Sequence, residues 1–275
     1  MHRPPRPRIF RSASSTACIA ILISVAATTA LSSSKRGAAD DTSATPVLIE
    51  LFTSEGCSSC PPADSFLEAL DSRQPVKGVQ LIVLSEHVDY WNHDGWTDRF
   101  SSASITDRQN NYVHALHLNT PYTPQFLVDG SAELRYRDTQ DLLAKLQQAA
   151  SSPKITLRFI LPSIAPGNSV VQGHIETAEN GSKNKAEVYV AVALDHAESQ
   201  VASGENSGRH MTHVAVVTDI AKIGKLESGK NFSQDFRIKL KLPASESKTI
   251  RLVAFAQENG PGKVLGVTLA KLTLE

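Results

Sequence analysis

Apolar and polar residues follow two different periods along this chain. Between Pro46 and Phe52 the run PVLIELF holds one polar residue, Glu50, which is the pattern of a buried strand. TSEG turns the chain. CPPADSFLEALDSRQ then places Phe66, Leu67 and Leu70 at helical spacing, with Ala63 extending the stripe and Pro61 and Pro62 in the first turn. VQLIVLS, Val79 to Ser85, predicts a second buried strand, and helical stretches follow between Trp96 and Leu118. QFLV, the turn pair DG and SAELRY predict a hairpin. Asp138 or Thr139 then caps a helix with Leu142, Leu143 and Leu146 on one stripe.

After Ser151 the pattern changes. SSP reads as a linker. Beyond it KITLRFILP, SVVQGHIET, KAEVYVAVALD, HMTHVAVVTDI, FSQDFRIKLKL, KTIRLVAFAQE and KVLGVTLAKLTL alternate or run apolar over strand lengths. Gly, Pro, Asn and Ser fill the gaps, so the expectation is an all-β antiparallel sandwich domain over residues 153–275.

Composition narrows the function classes. The 275 residues carry 28 basic and 28 acidic side chains, so no net charge points to nucleic acid or an acidic surface. The N-terminus MHRPPRPRIFR is basic, and ACIAILISVAATTAL follows as a short apolar run with small residues at its exit. That is the pattern of an export signal, assigned with its flexible flank to residues 1–39. A retained anchor is the rival, but the run is shorter than the roughly 20 residues a spanning helix needs. An exported protein, periplasmic or extracellular, with no stable membrane span after cleavage is expected.

Export changes what three cysteines mean. Once Cys18 leaves with the signal, only Cys57 and Cys60 remain, within ELFTSEGCSSCPPAD. A bridge over two intervening residues restrains the unfolded chain very little, so the pair reads as chemical rather than as a staple. A zinc half-site lacks a second cysteine pair to complete four ligands. An inert pair is the other bland reading, because exposure decides thiol reactivity. The redox reading puts Cys57 at an exposed helix N-terminus, where unpaired N–H groups favour a thiolate, and Cys60 one turn in as the resolving thiol. No cofactor is implied, because the electrons reside in the pair. A peroxidase would need a polarising arginine, and none lies close to Cys57 in sequence.

Two further segments gather chemistry. EHVDYWNHDGWTDRF crowds His87, Asp89, Tyr90, Trp91, His93, Asp94 and Trp96 after the second strand. It reads either as a substrate-facing lip with His87 tuning the thiolate, as a packed loop of hydrogen-bonded His and Asp, or as a metal site of His87, Asp89 and His93. SGENSGRHMTH reads as an ordered loop with an Arg209–Glu205 pair, or as a gate if it faces the cysteine turn.

The order strand, helix, strand, helix, hairpin, helix, with CSSC on the first strand-to-helix turn and YTPQF before the hairpin, resembles the thioredoxin fold over residues 45–150. The resemblance implies an α/β thioredoxin-like domain there. It also implies a cis Thr123–Pro124 bond, with Thr123 and Pro124 positioning the substrate chain. ELFTSEGCSSCPPAD, EHVDYWNHDGWTDRF, YTPQFLVDG and GENSGRHMTHVAVV together resemble the secreted thioredoxin-like proteins of domain-of-unknown-function family 1223. Two residues depart from thioredoxin. Gly56 stands where a tryptophan usually precedes the first cysteine, and the fold's buried acid falls near Leu51, one position from Glu50. An offset of one residue in a strand turns a side chain to the opposite face. Glu55, close to Cys57, would raise a thiol pKa on contact. The expected function is thiol–disulfide exchange on another exported protein or a small thiol, with Cys57 and Cys60 catalytic and Glu55 and His87 as modulators. The alternative is a non-catalytic binding module shaped by a closed disulfide.

Overall fold

The computed structural model describes residues 44–165, 170–178, 183–241 and 247–274. The expected export signal lies outside the described residues. Those residues form eleven strands and three helices. In chain order they are β1 (Thr45–Thr53), α1 (Pro61–Arg73), β2 (Val79–His87), α2 (Ala103–Ala115), β3 (Gln125–Val128), β4 (Ala132–Leu134) and α3 (Thr139–Ser151). Then follow β5 (Leu157–Ile164), β6 (Val170–Thr177), β7 (Ala186–Gln200), β8 (His210–Leu226), β9 (Ser233–Lys239), β10 (Thr249–Gln257) and β11 (Val264–Thr273).

Local chemistry explains the boundaries. Prolines occupy the first two positions of α1, where no intrahelical bond needs their missing N–H. Ser102 caps α2 by accepting from Ile105 N–H, and Asp138 caps α3 by accepting from Gln140 and Asp141. Between β3 and β4, Asp129 and Gly130 both take positive φ, 45° and 58°, as a two-residue hairpin turn requires.

The strands make two sheets. Eight run in the order β11-β10-β7-β8-β2-β1-β3-β4, and three in the order β5-β6-β9. β1 lies parallel to β2 and antiparallel to β3, so the large sheet is mixed. β7 and β8 form a long antiparallel hairpin, and β8 meets β2 in parallel at the single pair Ser85–Val216. One face of the large sheet carries α1 and α3 over Val47, Ile49 and Leu51. Farther along that face the three-stranded sheet packs on Val188, Val190, Leu252 and Ala254. The other face carries α2 over Leu48, Phe52, Ile82 and Leu84.

This overturns the expectation of a thioredoxin-like α/β domain followed by an all-β antiparallel sandwich. The chain is mostly β, and four of the seven strands expected in a sandwich instead extend the sheet of β1 and β2. The physical reason is that alternation reports which face of a strand is buried, whereas sheet membership depends on which edge it pairs. Residues at the outer edge of β2 give no sequence signal that β8 will lie against them.

Candidate functional site

The site is built where β1 ends. Ser54 to Cys60 turn the chain, with Cys57 N–H donating to the Ser54 carbonyl at 3.2 Å and Cys60 N–H to the Cys57 carbonyl at 3.2 Å. Cys60 already has helical φ and ψ and is the N-cap of α1. Cys57 and Cys60 are joined as a disulfide, their Cα atoms 5.4 Å apart. The expectation of an exposed Cys57 is corrected here, because both cysteines are fully buried at 0% exposure. Only Ser58 and Ser59, between them, are exposed.

Two other segments cover the pair. The loop between β7 and β8 reaches across the turn. Asn206, itself fully buried, donates from Nδ2 to the Glu55 and Cys57 carbonyls at 2.8 and 2.9 Å. Ser58 N–H donates to the Glu205 carboxylate at 2.9 Å, so Glu205 serves the cysteine turn and not the expected pair with Arg209. The contact with Ser58 holds the Glu205 pKa below its ordinary value. The segment after β2 lies on the other side. A Cβ at Gly56 would stand 2.7 Å from the Trp91 carbonyl oxygen, so this position admits only glycine at the observed spacing. Trp91 Nε1–H donates to Thr123 Oγ1 at 2.7 Å, tying Thr123 to the same edge of the site. The Thr123–Pro124 peptide bond is cis.

Behind the disulfide lies a buried polar cluster. Glu55, Asp64, His87, Asp98 and His213 are all at most 6% exposed. Glu55 accepts from Trp96 Nε1–H at 3.0 Å, and its backbone N–H donates to Asp98 at 2.9 Å. His87 Nδ1 lies 2.7 Å from Asp98 Oδ2. The His87 ring stands edge-on to that of His213, centroids 4.8 Å apart. His213 lies between two carboxylates, 3.5 Å from Glu55 and 3.9 Å from Asp64, in hydrogen-bonding geometry with neither.

Burial and neighbouring charge set these acidities. Burial alone would lower the His87 pKa, but Asp98, then Asp64 and Glu55, outweigh it and push it up to about 8. Burial opposes ionisation of Asp98 too, yet His87 and the Glu55 and Phe100 N–H groups hold its carboxyl below the ordinary range. Asp64 goes the other way. Burial raises its pKa more than His213 and His87 lower it.

The residues expected to matter therefore divide. Glu55 and His87 share the buried cluster next to the cysteine turn, Thr123 is tied to Trp91 at the edge of that turn, and Pro124 follows Thr123 into β3. The three side chains weighed as a metal site go to different partners: His87 to Asp98, Asp89 to Thr106, and His93 to Asp94 and the Trp91 ring. Asp64 and Asp98 were not singled out in the sequence. For Asp64 a signal exists, since an acid four residues after Cys60 falls on the same helical face as the cysteine.

Comparison with known proteins places the chain. A family model described as "Protein of unknown function (DUF1223)" matches residues 48–257, and the chain belongs to that family. Among curated proteins the chain has no match. A crystal structure of an Agrobacterium tumefaciens protein is 26% identical, with a TM-score of 0.62 over 82% of this chain and 94% of that one. HBP35 of Porphyromonas gingivalis is 14% identical, with a TM-score of 0.60 over 84% of this chain and 76% of that one. The second likeness is one of fold alone.

Proposed function

We propose that the protein is an exported thiol–disulfide oxidoreductase that exchanges its Cys57–Cys60 disulfide with cysteines of another exported protein. The observation that carries this reading is a disulfide over two residues backed by buried, titratable side chains. A bridge this short contributes little to stability, because the stabilisation expected of a cross-link falls with loop length. An apolar backing would suit a mere packing element better than Glu55, Asp64, His87 and His213 do. Cys57 is the partner-facing sulfur and Cys60 the resolving one, since Cys57 precedes the exposed Ser58 and Cys60 is the N-cap of α1. Exchange requires the Glu205–Asn206 loop to lift from the turn, because both cysteines are covered at rest. Thr123 and Pro124 would line the path of the partner chain beside Trp91.

A non-catalytic binding module is the second reading, favoured by that same cover over both cysteines. The deciding experiment mixes the oxidised protein with a reduced peptide dithiol. The oxidoreductase yields oxidised peptide and two protein thiols, and the Cys57→Ser variant yields neither. Protein that keeps its disulfide under a large excess of peptide dithiol is a binding module.

A further inference from the structure

The oxidoreductase reading leaves one proton unassigned. When the disulfide is opened at Cys57, Cys60 departs as a thiolate inside a buried site. Burial disfavours that charge, so a proton must reach Cys60, and it must leave again before Cys60 can attack. Glu50, the acid of β1, is not available for this. It points to the opposite face of the sheet and is bound there by Arg108 and Tyr112.

Asp64 has the required position. Cys60 and Asp64 stand at i and i+4 at the start of α1, and Asp64 N–H donates to the Cys60 carbonyl at 3.1 Å. Side chains at that spacing lie one above the other on one helical face. The Asp64 side chain is only 5% exposed, and neither carboxyl oxygen has a hydrogen-bond partner. Its neighbours are Thr53 at the end of β1, His87 on β2, His213 on β8 and Asp98 before α2. The Thr53 hydroxyl is not in hydrogen-bonding geometry with it. A buried carboxyl with two unpartnered oxygens is costly, and such a group in a native structure calls for an explanation.

Resting on the oxidoreductase reading, we propose that Asp64 is the proton acceptor and donor of Cys60. In the oxidising direction a substrate thiolate attacks Cys57 Sγ. The Cys57–Cys60 bond breaks, a substrate–Cys57 disulfide forms, and the Cys60 thiolate takes the proton held by Asp64. A second substrate thiolate then displaces Cys57, leaving an oxidised substrate and a reduced pair. In the reverse direction the Asp64 carboxylate takes the Cys60 proton, and Cys60 attacks Cys57 Sγ to expel the substrate thiolate. Burial supports the role, because a carboxyl whose pKa is raised toward that of the thiol exchanges a proton with it more evenly. His213, between Asp64 and Glu55, lowers the Asp64 pKa against burial.

The test follows two steps separately. The reduced protein is mixed with one equivalent of a nitrothiobenzoate disulfide. Attack by Cys57 releases one coloured thiolate, and attack by Cys60 on the mixed disulfide releases the second. Asp64→Asn should leave the first release unchanged and slow the second about a hundredfold near neutral pH, the usual scale for a lost general base. The deficit should shrink as pH rises and hydroxide takes over. His213→Gln removes the neighbour that lowers the Asp64 pKa, so the acid limb of the second release should move to higher pH. Unchanged second release in Asp64→Asn, or slowing by one factor at every pH, overturns the assignment while leaving exchange intact. Wild-type protein that releases no thiolate removes the assignment and the oxidoreductase reading together. A measurement on wild type covers a variant that does not fold. The carbon-13 resonance of the Asp64 carboxyl should titrate with different midpoints in the disulfide and dithiol forms, and one shared midpoint overturns the proposal.

Discussion

Two buried polar clusters sit on opposite faces of the same pair of strands, and they are built from different groups. On the α2 face, Glu50 and Glu86 surround Arg108. Glu50 accepts from Arg108 Nε at 2.9 Å and from the Tyr112 hydroxyl at 2.7 Å, and Arg108 Nη2 adds a further, shorter bond. Tyr112 in turn accepts from Arg108 at 2.9 Å and Gln257 at 2.8 Å. Glu86 lies 3.4 Å from Arg108, with neither carboxyl oxygen in hydrogen-bonding geometry, so this cluster too holds an acid paired by charge alone. Burial and the adjacent Glu50 raise the Glu86 pKa well above the ordinary carboxylate range, against the pull of Arg108. Behind the disulfide, Asp64 and Glu55 share His213 as an ionisable neighbour, and Glu55 also accepts from Trp96. Glu55 Oε1, both Asp64 oxygens and both His213 nitrogens make no hydrogen bond. Buried acids are thus no mark of chemistry by themselves. A guanidinium never gives up its proton near neutral pH, so the α2 cluster is a fixed brace. A cluster of carboxyls and imidazoles can exchange protons where the disulfide opens.

The strongest way to break this contrast is to remove the fixed cation. Arg108→Met strands Glu50 in the core, and losing one partner of a buried pair costs about 3–5 kcal/mol. Urea unfolding should show that loss, and Arg108→Met combined with Glu50→Gln should recover part of it. Exchange chemistry at Cys57 should be untouched in whatever fraction remains folded. A loss below about 1 kcal/mol would place the brace among ordinary surface pairs.

The second prediction uses pH to separate the clusters. His87 has its folded pKa raised to about 8 from the ordinary 6.5. Its contribution is therefore fully present below about pH 6.5 and is lost as pH rises through about 8, roughly 2 kcal/mol in all. Unfolding free energies at about pH 6 and pH 9 should differ by that amount in wild type and by much less in His87→Gln. An equal slope in both proteins would mean that His87 is neutral throughout and that Asp98 has another cation.

Much of this was legible along the chain, for reasons that also explain the failures. Every expected strand and helix of the described residues has its counterpart, because apolar periodicity and caps such as Asp138 act locally. Glu50 was readable as facing away from Leu51, since strand geometry forces alternation, and the two do lie in different cores. What failed was the assembly. The β7–β8 hairpin joins β2 through one bridge pair, and no residue of Val79 to Ser85 announces it. The burial of Cys57 was hidden for the same reason, because its cover comes from Asn206, 149 residues away. The single sequence hint was SGENSGRHMTH, where two glycines take positive φ, 76° at Gly204 and 81° at Gly208, to turn the loop.

That loop carries the smallest predicted effect and the sharpest test of what guards the disulfide. Asn206 makes two buried bonds to the cysteine turn, and Glu205 makes one exposed bond beside them. Asn206→Ala leaves the buried Glu55 carbonyl without its donor and the Cys57 carbonyl with Cys60 N–H alone, which favours lifting of the loop by about 1–2 kcal/mol. Local opening is what admits a reagent to a buried thiol, and about 1.4 kcal/mol corresponds to tenfold. In the reduced protein, alkylation of Cys57 should therefore quicken about tenfold in Asn206→Ala. Glu205→Gln keeps an acceptor for Ser58 N–H at an exposed site, so its effect should be far smaller. Ser207→Ala, which removes a bond internal to the loop, should change the rate least. If all three variants react at the wild-type rate, the loop does not limit access, and the cysteines are reached by a motion of the Trp91 side instead. If Asn206→Ala quickens Cys57 and Cys60 equally, the loop covers the pair without distinguishing its two sulfurs.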